Sequence, residues 1–141
     1  MKIANFLLIT LVLVTSACSS IQSSGGTLPV PSEWKLVSIG KAGAEAPVVE
    51  GTAITLKFDV DGQASGTGGC NSYGTKYEAQ GHNLAFKELI STMMACVDEQ
   101  INQQESQYFA ALQAATKYET SGDNLIIYYD DGQSQLNFTK Q

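Results

Sequence analysis

Arginine is absent from this chain of 141 residues, so all eight basic residues are lysines, and fourteen acidic residues outnumber them. The formal net charge is −6. Nucleic-acid binding depends on cationic contacts to phosphate, so this composition argues against a nucleic acid as a partner. The lack of guanidinium groups also excludes a bidentate arginine clamp for a phosphate or carboxylate ligand.

Histidine is almost as scarce, because His82 is the only one and lies in a predicted Gly-His-Asn turn. A Ser–His–Asp or Cys–His hydrolase would have to use this imidazole, and the sequence places no nucleophile beside it. Glu88, Asp98 and Glu99 are loose acid candidates that no spacing pairs. We therefore predict no catalytic residue, no metal site and no cofactor, and keep a small envelope hydrolase as the alternative.

The sequence also lacks an apolar run long enough to cross a bilayer, which takes about 20 apolar residues. The run at residues 6–14 is shorter; it follows Lys2 and is succeeded by small residues and then Cys18. This order is typical of a signal peptide, residues 1–17, that ends at a lipidation site. Cys18 is predicted to carry the acyl chains that anchor the mature protein. A simple cleaved signal peptide, with Cys18 incidental, is the alternative.

The next segment, residues 18–32, is uncharged and rich in Ser, Gly and Pro, which predicts a flexible tether after the lipidated cysteine. Ser19 directly follows Cys18, an arrangement that resembles enterobacterial lipoproteins sorted to the outer membrane. The expected location is therefore the cell envelope, at the outer membrane and facing the periplasm. Residues 33–141 are long enough for one domain with a single core.

Two cysteines remain in that domain, Cys70 and Cys96. An even pair in an exported protein predicts a disulfide. A reactive or metal-binding thiol pair is the alternative, although two thiols rarely hold a metal without further ligands.

Hydrophobic periodicity predicts a mainly β, α+β domain: a strongly curved antiparallel sheet or half-open barrel of about eight short strands, with one helix packed against it. The predicted strands cover residues 33–39, 54–59, 64–70, 73–79, 84–86, 117–120, 125–129 and 135–138. In the first strand, Trp34 and Leu36 share one face and Ile39 lies on the other.

The spacing between residues 98 and 116 is helical. The predicted buried stripe consists of Ile101, Glu105, Tyr108, Leu112 and Ala115. Asp98 is the predicted N-cap. The glutamines of this segment are predicted to face water: Gln100, Gln103, Gln104 and Gln107.

Glycines at residues 66, 68 and 69 do not form a phosphate loop, because strand-like residues rather than a helix follow them. A bend or bulge that presents the Cys70 sulfur is the better interpretation. The Asp-Val-Asp-Gly sequence at residues 59–62 lacks the later ligands of a calcium loop and predicts a hairpin turn.

The sequence resembles the META domain of HslJ-like heat-shock lipoproteins over residues 33–139. The motifs that carry the resemblance are GGCN at residues 68–71 and STMMAC at 91–96, together with Tyr73, Tyr77, Asp98, Glu105 and Tyr108. Val97 departs from the family, in which proline is common at this position. The resemblance implies a curved antiparallel sheet with one helix, export, and a link to envelope or heat stress and antibiotic tolerance.

The resemblance implies no enzymatic activity, and the fold it implies is similar to that of pilot lipoproteins, which escort secretin subunits. We therefore expect a non-catalytic lipoprotein that binds an envelope protein or an apolar ligand in a groove between helix and sheet. A passive structural or stress-tolerance factor is a further alternative. The candidate groove residues are aromatic: Tyr73, Tyr77, Phe109, Tyr128 and Tyr129.

Overall fold

The structure is a computed structural model that describes residues 26–141. The strands and the helix lie at β1 Ser32–Lys41, β2 Ala46–Pro47, β3 Thr55–Phe58, β4 Gln63–Thr67, β5 Ser72–Gln80, β6 Asn83–Ser91, α1 Glu99–Gln113, β7 Lys117–Ser121, β8 Asn124–Tyr129 and β9 Ser134–Lys140. Within residues 26–141, no helix has the length and apolarity needed to span a membrane.

The strands form one antiparallel sheet in the order β2-β1-β3-β4-β5-β6-β7-β8-β9, and β9 also pairs with β1. Leu36 opposite Phe138 is one pair of that closing ladder. Eight strands therefore close into a barrel, and the two-residue β2 adds to β1 outside it. The predicted mainly β fold with one helix is confirmed, and the sheet closes completely rather than staying half open.

A β-bulge in β1 explains one error of the sequence analysis. The register against β9 shifts between Leu36 and Ser38. Trp34 and Leu36 point inward as predicted, but the extra residue moves Ile39 onto the same buried side. A bulge reverses the alternation of side chains beyond it, and simple period-two reading of a sequence does not detect it.

Large side chains fill the barrel. The fully buried ones include Trp34, Phe58, Tyr108, Tyr118 and Phe138. An eight-stranded barrel has an interior just wide enough for side chains. Side chains therefore occupy the barrel interior, and the concave surfaces described below lie outside it.

Helix α1 covers the upper end of the barrel, defined here as the end that carries residues 67–72 and 91–98. The Asp98 side chain accepts a hydrogen bond from the backbone N–H of Gln100 and caps the helix, as predicted. Tyr108 and Leu112 reach the core. Gln104 is buried rather than exposed, because its amide oxygen accepts from Val49 N at 2.6 Å and its nitrogen donates to Thr52 Oγ1.

The helix also packs against β6 where β6 and β7 separate. Within the described chain, Asn83 opposite Lys117 is the one residue pair that β6 and β7 share. β6 itself, which the sequence predicts to start at residues 84–86, runs on to Ser91 and remains paired with β5. The barrel is thus closed by a short contact at this seam and by α1 above it.

Residues 26–31 belong to the predicted tether, yet they pack on the lower end of the barrel. Leu28 is buried, and its N–H donates to the Tyr118 hydroxyl at 3.0 Å. The Thr120 hydroxyl donates to Gly26 O at 2.9 Å. The packed part of the chain therefore begins earlier than residue 33.

Candidate functional site

The residues of the two cysteine motifs meet at the upper end of the barrel, around the buried carboxylate of Glu105. Glu105 Oε1 accepts from the backbone N–H of Asn71 at 2.6 Å and of Cys70 at 3.2 Å, and its Oε2 accepts from Asn71 Nδ2 at 2.6 Å. A buried carboxylate needs such donors to offset its lost hydration. The contact holds α1 to the bend between β4 and β5.

The Asn71 side chain also hydrogen-bonds to the segment after β6. Its Oδ1 accepts from Met94 N and from Thr92 Oγ1, both at 2.8 Å, and its Nδ2 donates to Met94 O at 3.2 Å. One buried side chain therefore contacts the bend, the helix and the segment that leads into the helix.

Cys70 and Cys96 form the predicted disulfide, with their Cα atoms 6.1 Å apart. Asn102 supports the second cysteine, since its Nδ2 donates to Cys96 O at 3.0 Å and its Oδ1 accepts from Cys96 N at 3.3 Å. The two sulfurs and a carboxylate oxygen of Glu105 lie within 4.8 Å of one another. The sulfurs are bonded to each other and the carboxylate already holds three donors, so this cluster acts as a structural lock.

Gly68 explains why the bend can approach the helix so closely. A methyl group in place of its hydrogen would lie 2.7 Å from Glu105 Oε1 and 2.7 Å from the Phe109 ring. Real Cβ atoms do not tolerate such separations, so a side chain at this position would displace the Glu105 carboxylate and the Phe109 ring.

A groove lies beside this lock, between α1, the rim formed by β1 and β2, and the turn that joins β8 to β9. Its volume is about 550 Å³. Its walls consist mostly of small side chains: Gly40, Ala44, Ala46, Ala110, Ala111 and Ala114. Lys41 and Asp130 lie at its edges, and Tyr129 contributes an aromatic face. We call this surface the helix groove.

The five predicted groove aromatics do not share one surface. Tyr73 and Phe109 contact each other with ring centroids 5.4 Å apart, near the lock. Tyr77 packs edge-on against the core residue Phe58 and donates its hydroxyl to Asp59 O. Tyr128 lies beside β7, where its hydroxyl donates to Glu119. Of the five, only Tyr129 lines the helix groove.

The loose catalytic candidates do not form a catalytic pair with His82. His82 is exposed in the turn between β5 and β6, with its ring 6.4 Å from that of Tyr118. Glu88 pairs with Lys76 at 2.6 Å on the outer surface, and this lysine lowers the pKa of its carboxyl. Asp98 is committed to the helix cap, and Glu99 is exposed beside it. Cys18 lies outside the described residues.

A groove between helix and sheet was expected, but apart from Tyr129 its lining residues were not, because they form no pattern in the sequence. Ala110, Ala111 and Ala114 are ordinary helix formers, and Ala44 and Ala46 lie between the predicted strands at residues 33–39 and 54–59. Their shared surface depends on the β1–β2 hairpin folding back toward α1, which no local pattern reveals. The small side chains of Ala110, Ala111 and Ala114 near the end of α1 are the one feature of the sequence that could have indicated this groove.

The family model for the META domain matches residues 27–141. The chain belongs to the META domain family. The matched region begins within the segment that packs on the lower end of the barrel, in agreement with the structure. A comparison with curated proteins finds no match.

Solved structures share this META fold. The protein is similar to one from Burkholderia xenovorans, solved by NMR, at 27% identity over 79% of this chain and 82% of that chain, with a TM-score of 0.68. A second NMR structure matches at 19% identity over 77% and 88%, with a TM-score of 0.61. A DUF4847 family protein from Bacteroides vulgatus matches at 13% identity over 77% and 92%, with a TM-score of 0.55, which concerns the fold alone.

Proposed function

We propose that this META-domain protein is an exported, lipid-anchored lipoprotein of the cell envelope that binds a polypeptide segment of a partner in the helix groove. The observation that carries the proposal is the combination of a solid barrel interior with an open, mostly apolar concavity of about 550 Å³ beside the helix. Binding sites combine apolar walls with a few polar groups at defined positions, as this groove does.

The lining favours a polypeptide over a free lipid. Small walls such as Ala110 and Ala114 let another backbone approach closely, as an extended strand or a helix does. Lys41 and Asp130 at the edges offer one charge of each sign, which suits a peptide with polar groups between apolar side chains. An acyl chain is better served by an enclosed apolar cavity, which this open groove does not provide.

The anchor part of the proposal rests on the first eighteen residues of the sequence. Replacing Cys18 with Ser should release the protein from the membrane fraction into the soluble fraction, and the intact mass of the membrane-purified protein should include the acyl chains. A protein that stays in the membrane fraction after Cys18→Ser would refute lipidation at this residue.

A photo-crosslinking amino acid at Gln107, on the groove edge, tests the binding claim in living cells. The predicted result is one discrete protein adduct that Ala110→Trp abolishes by filling the groove. Gln103→Trp is the matched control, because Gln103 is exposed on the same helix but does not line the groove. An adduct that survives Ala110→Trp, or lipid in place of protein in native mass spectrometry, contradicts the proposal.

A non-catalytic role is part of the same proposal. It is supported by the exposed position of His82 and by the other contacts of two acid candidates, since Glu88 is paired with Lys76 and Asp98 caps α1. Turnover of any ester or peptide substrate that disappears in His82→Ala would overturn it.

A further inference from the structure

An exposed apolar surface at the upper end of the barrel is not explained by the helix groove. Four large apolar side chains lie within eight residues: Ile90, Met93, Met94 and Val97 are 73%, 96%, 60% and 107% exposed. We call residues 90–97 the apolar loop. Charged residues are absent from this segment of the sequence. Clustered apolar side chains exposed in this way mark interaction sites.

The backbone of the apolar loop is held firmly although its side chains are exposed. Thr92 N donates to Ser72 O at 3.0 Å, Met94 N and O bond to Asn71, and Cys96 is tied to Cys70. These held residues alternate with the outward-facing Met93 and Val97. A loop whose bound shape is fixed in advance loses little conformational entropy on binding.

We propose that the apolar loop is a second docking site, for a partner protein that presents an apolar pocket ringed by basic residues. The side chains of Met93 and Met94 adapt readily to such a pocket, because methionine is unbranched and flexible. The charge argument comes from the adjacent helix start, where Asp98 and Glu99 are exposed. Residues 26–141 carry seven lysines against fourteen acidic residues, so basic groups on the partner are complementary.

A membrane surface suits the apolar loop less well than a protein partner does. An acidic domain is repelled by anionic lipid headgroups. The segment that follows the predicted anchor packs at the lower end of the barrel, where Gly26 bonds to Thr120. The apolar loop begins near Ser91, on the other side of the Asn83–Lys117 pair and roughly 35 Å from Thr120 along the strands. Residues 18–25 span at most about 28 Å when extended. A lipid at Cys18 would therefore join the domain through its lower end, whereas the apolar loop lies at the opposite end.

A second copy of this chain is also disfavoured. A stable dimer buries about 800 Å² on each partner, and four side chains on one loop offer only part of that area. Two copies that met through this loop would also bring their Asp98 and Glu99 side chains close together, and like charges repel.

The test uses a photo-crosslinking amino acid at Met93 in the full-length anchored protein, with Val60 as the matched control position. Val60 is 76% exposed in the turn between β3 and β4, at the lower end. The expected result is a discrete protein adduct at Met93 and none at Val60. The captured protein, once identified and purified, should bind the oxidised domain, and Met93→Ser with Val97→Ser should weaken that binding at least tenfold.

Charge reversal tests the nature of the partner. Glu99→Lys should weaken binding several-fold and reduce its dependence on salt, whereas Asp123→Lys in the turn between β7 and β8 should leave binding unchanged. The melting temperatures of the double serine and Asp123→Lys variants should stay at the wild-type value, because these side chains are exposed. Glu99→Lys should lower it by no more than a few degrees, because it places a positive charge in the first turn of α1.

Four outcomes overturn the proposal. They are the absence of an adduct at Met93, an adduct with the mass of two copies of this chain, binding that survives the double serine variant, and sedimentation with phosphatidylglycerol–phosphatidylethanolamine vesicles that the serine variant abolishes. The last outcome assigns the loop to a membrane. The groove variant Ala110→Trp leaves this loop intact, so the two docking sites can be tested separately.

Discussion

The hydroxyl oxygens of Tyr73 and Tyr108 lie 2.7 Å apart in the core, where both side chains are buried. The Tyr73 hydroxyl also donates a hydrogen bond to Thr55 O at 2.9 Å. This pair connects β5, β3 and α1 through two buried hydroxyl groups. Burial raises the pKa of Tyr73 and of Tyr108 above the ordinary value for tyrosine, because a phenolate would lose its hydration there.

The tyrosine pair predicts a loss of stability at alkaline pH. The folded-state pKa values are raised, so the stabilisation is complete below the unfolded-state value of about 10 and declines as the pH rises through it. Each buried tyrosine should cost up to about 1.4 kcal/mol per pH unit above that value. Urea unfolding between pH 8 and 12 measures this. Tyr73→Phe should flatten the decline, and a slope equal to that of wild type would contradict the assignment.

The disulfide should contribute much of the stability of the domain. It joins residues 26 apart in sequence, and the chain-entropy relation gives roughly 3.5 kcal/mol for such a loop. Reduction, or the double change Cys70→Ser and Cys96→Ser, should lower the melting temperature by roughly 15 °C. Reductant should have no effect on the double variant, which serves as the control. Equal melting temperatures for oxidised and reduced wild type would exclude this contribution.

The Glu105 carboxylate should stabilise the fold through the hydrogen bonds that it accepts. Glu105→Gln puts an amide N–H₂ group where Asn71 and Cys70 already supply donors, so at least one buried donor loses its acceptor. The expected loss is about 2–3 kcal/mol in urea unfolding. Glu99→Gln, one residue after the helix cap and exposed, should change the unfolding free energy by less than about 0.5 kcal/mol. Equal effects of the two changes would argue against the lock.

Gly66 should not tolerate a side chain, because a methyl group there would overlap the carbonyl of Thr55 on β3. Since backbone atoms would have to move, we expect Gly66→Ala to cost about 3 kcal/mol. Gly74 on β5 is the matched control, because a methyl group there meets nothing within 4 Å. Thermal melts of the two variants should therefore differ clearly, and equal melts would show that β3 and β4 can separate at low cost.

The strand positions and the helix could be predicted because they depend on local alternation and on a helical stripe. The errors have long-range causes. The bulge before Ser38 reversed the inward face, so Ile39 was placed outside. Gln104 is predicted to face water, but its hydrogen-bond partners are Val49 and Thr52, which lie more than fifty residues earlier in the chain.

The site was predictable only in its covalent part. The pairing of Cys70 with Cys96 follows from cysteine count and compartment. The role of Asn71 does not, because it depends on the backbone of Met94 reaching a side chain 23 residues earlier. Closure of the barrel by β1 and β9 depends in the same way on residues about 100 apart meeting in space.

Hydrogen–deuterium exchange on the anchored protein in native envelope vesicles, compared with the purified protein, tests the central claim most directly. We predict additional protection in the apolar loop at residues 90–97 and along the groove at residues 107–114, with no change in the turn at residues 121–124. Dilution with detergent should reverse the protection, because it separates the partner. Protection confined to residues 26–31 and 121–124, or none at all, would mean that the upper end of the barrel binds nothing in the envelope.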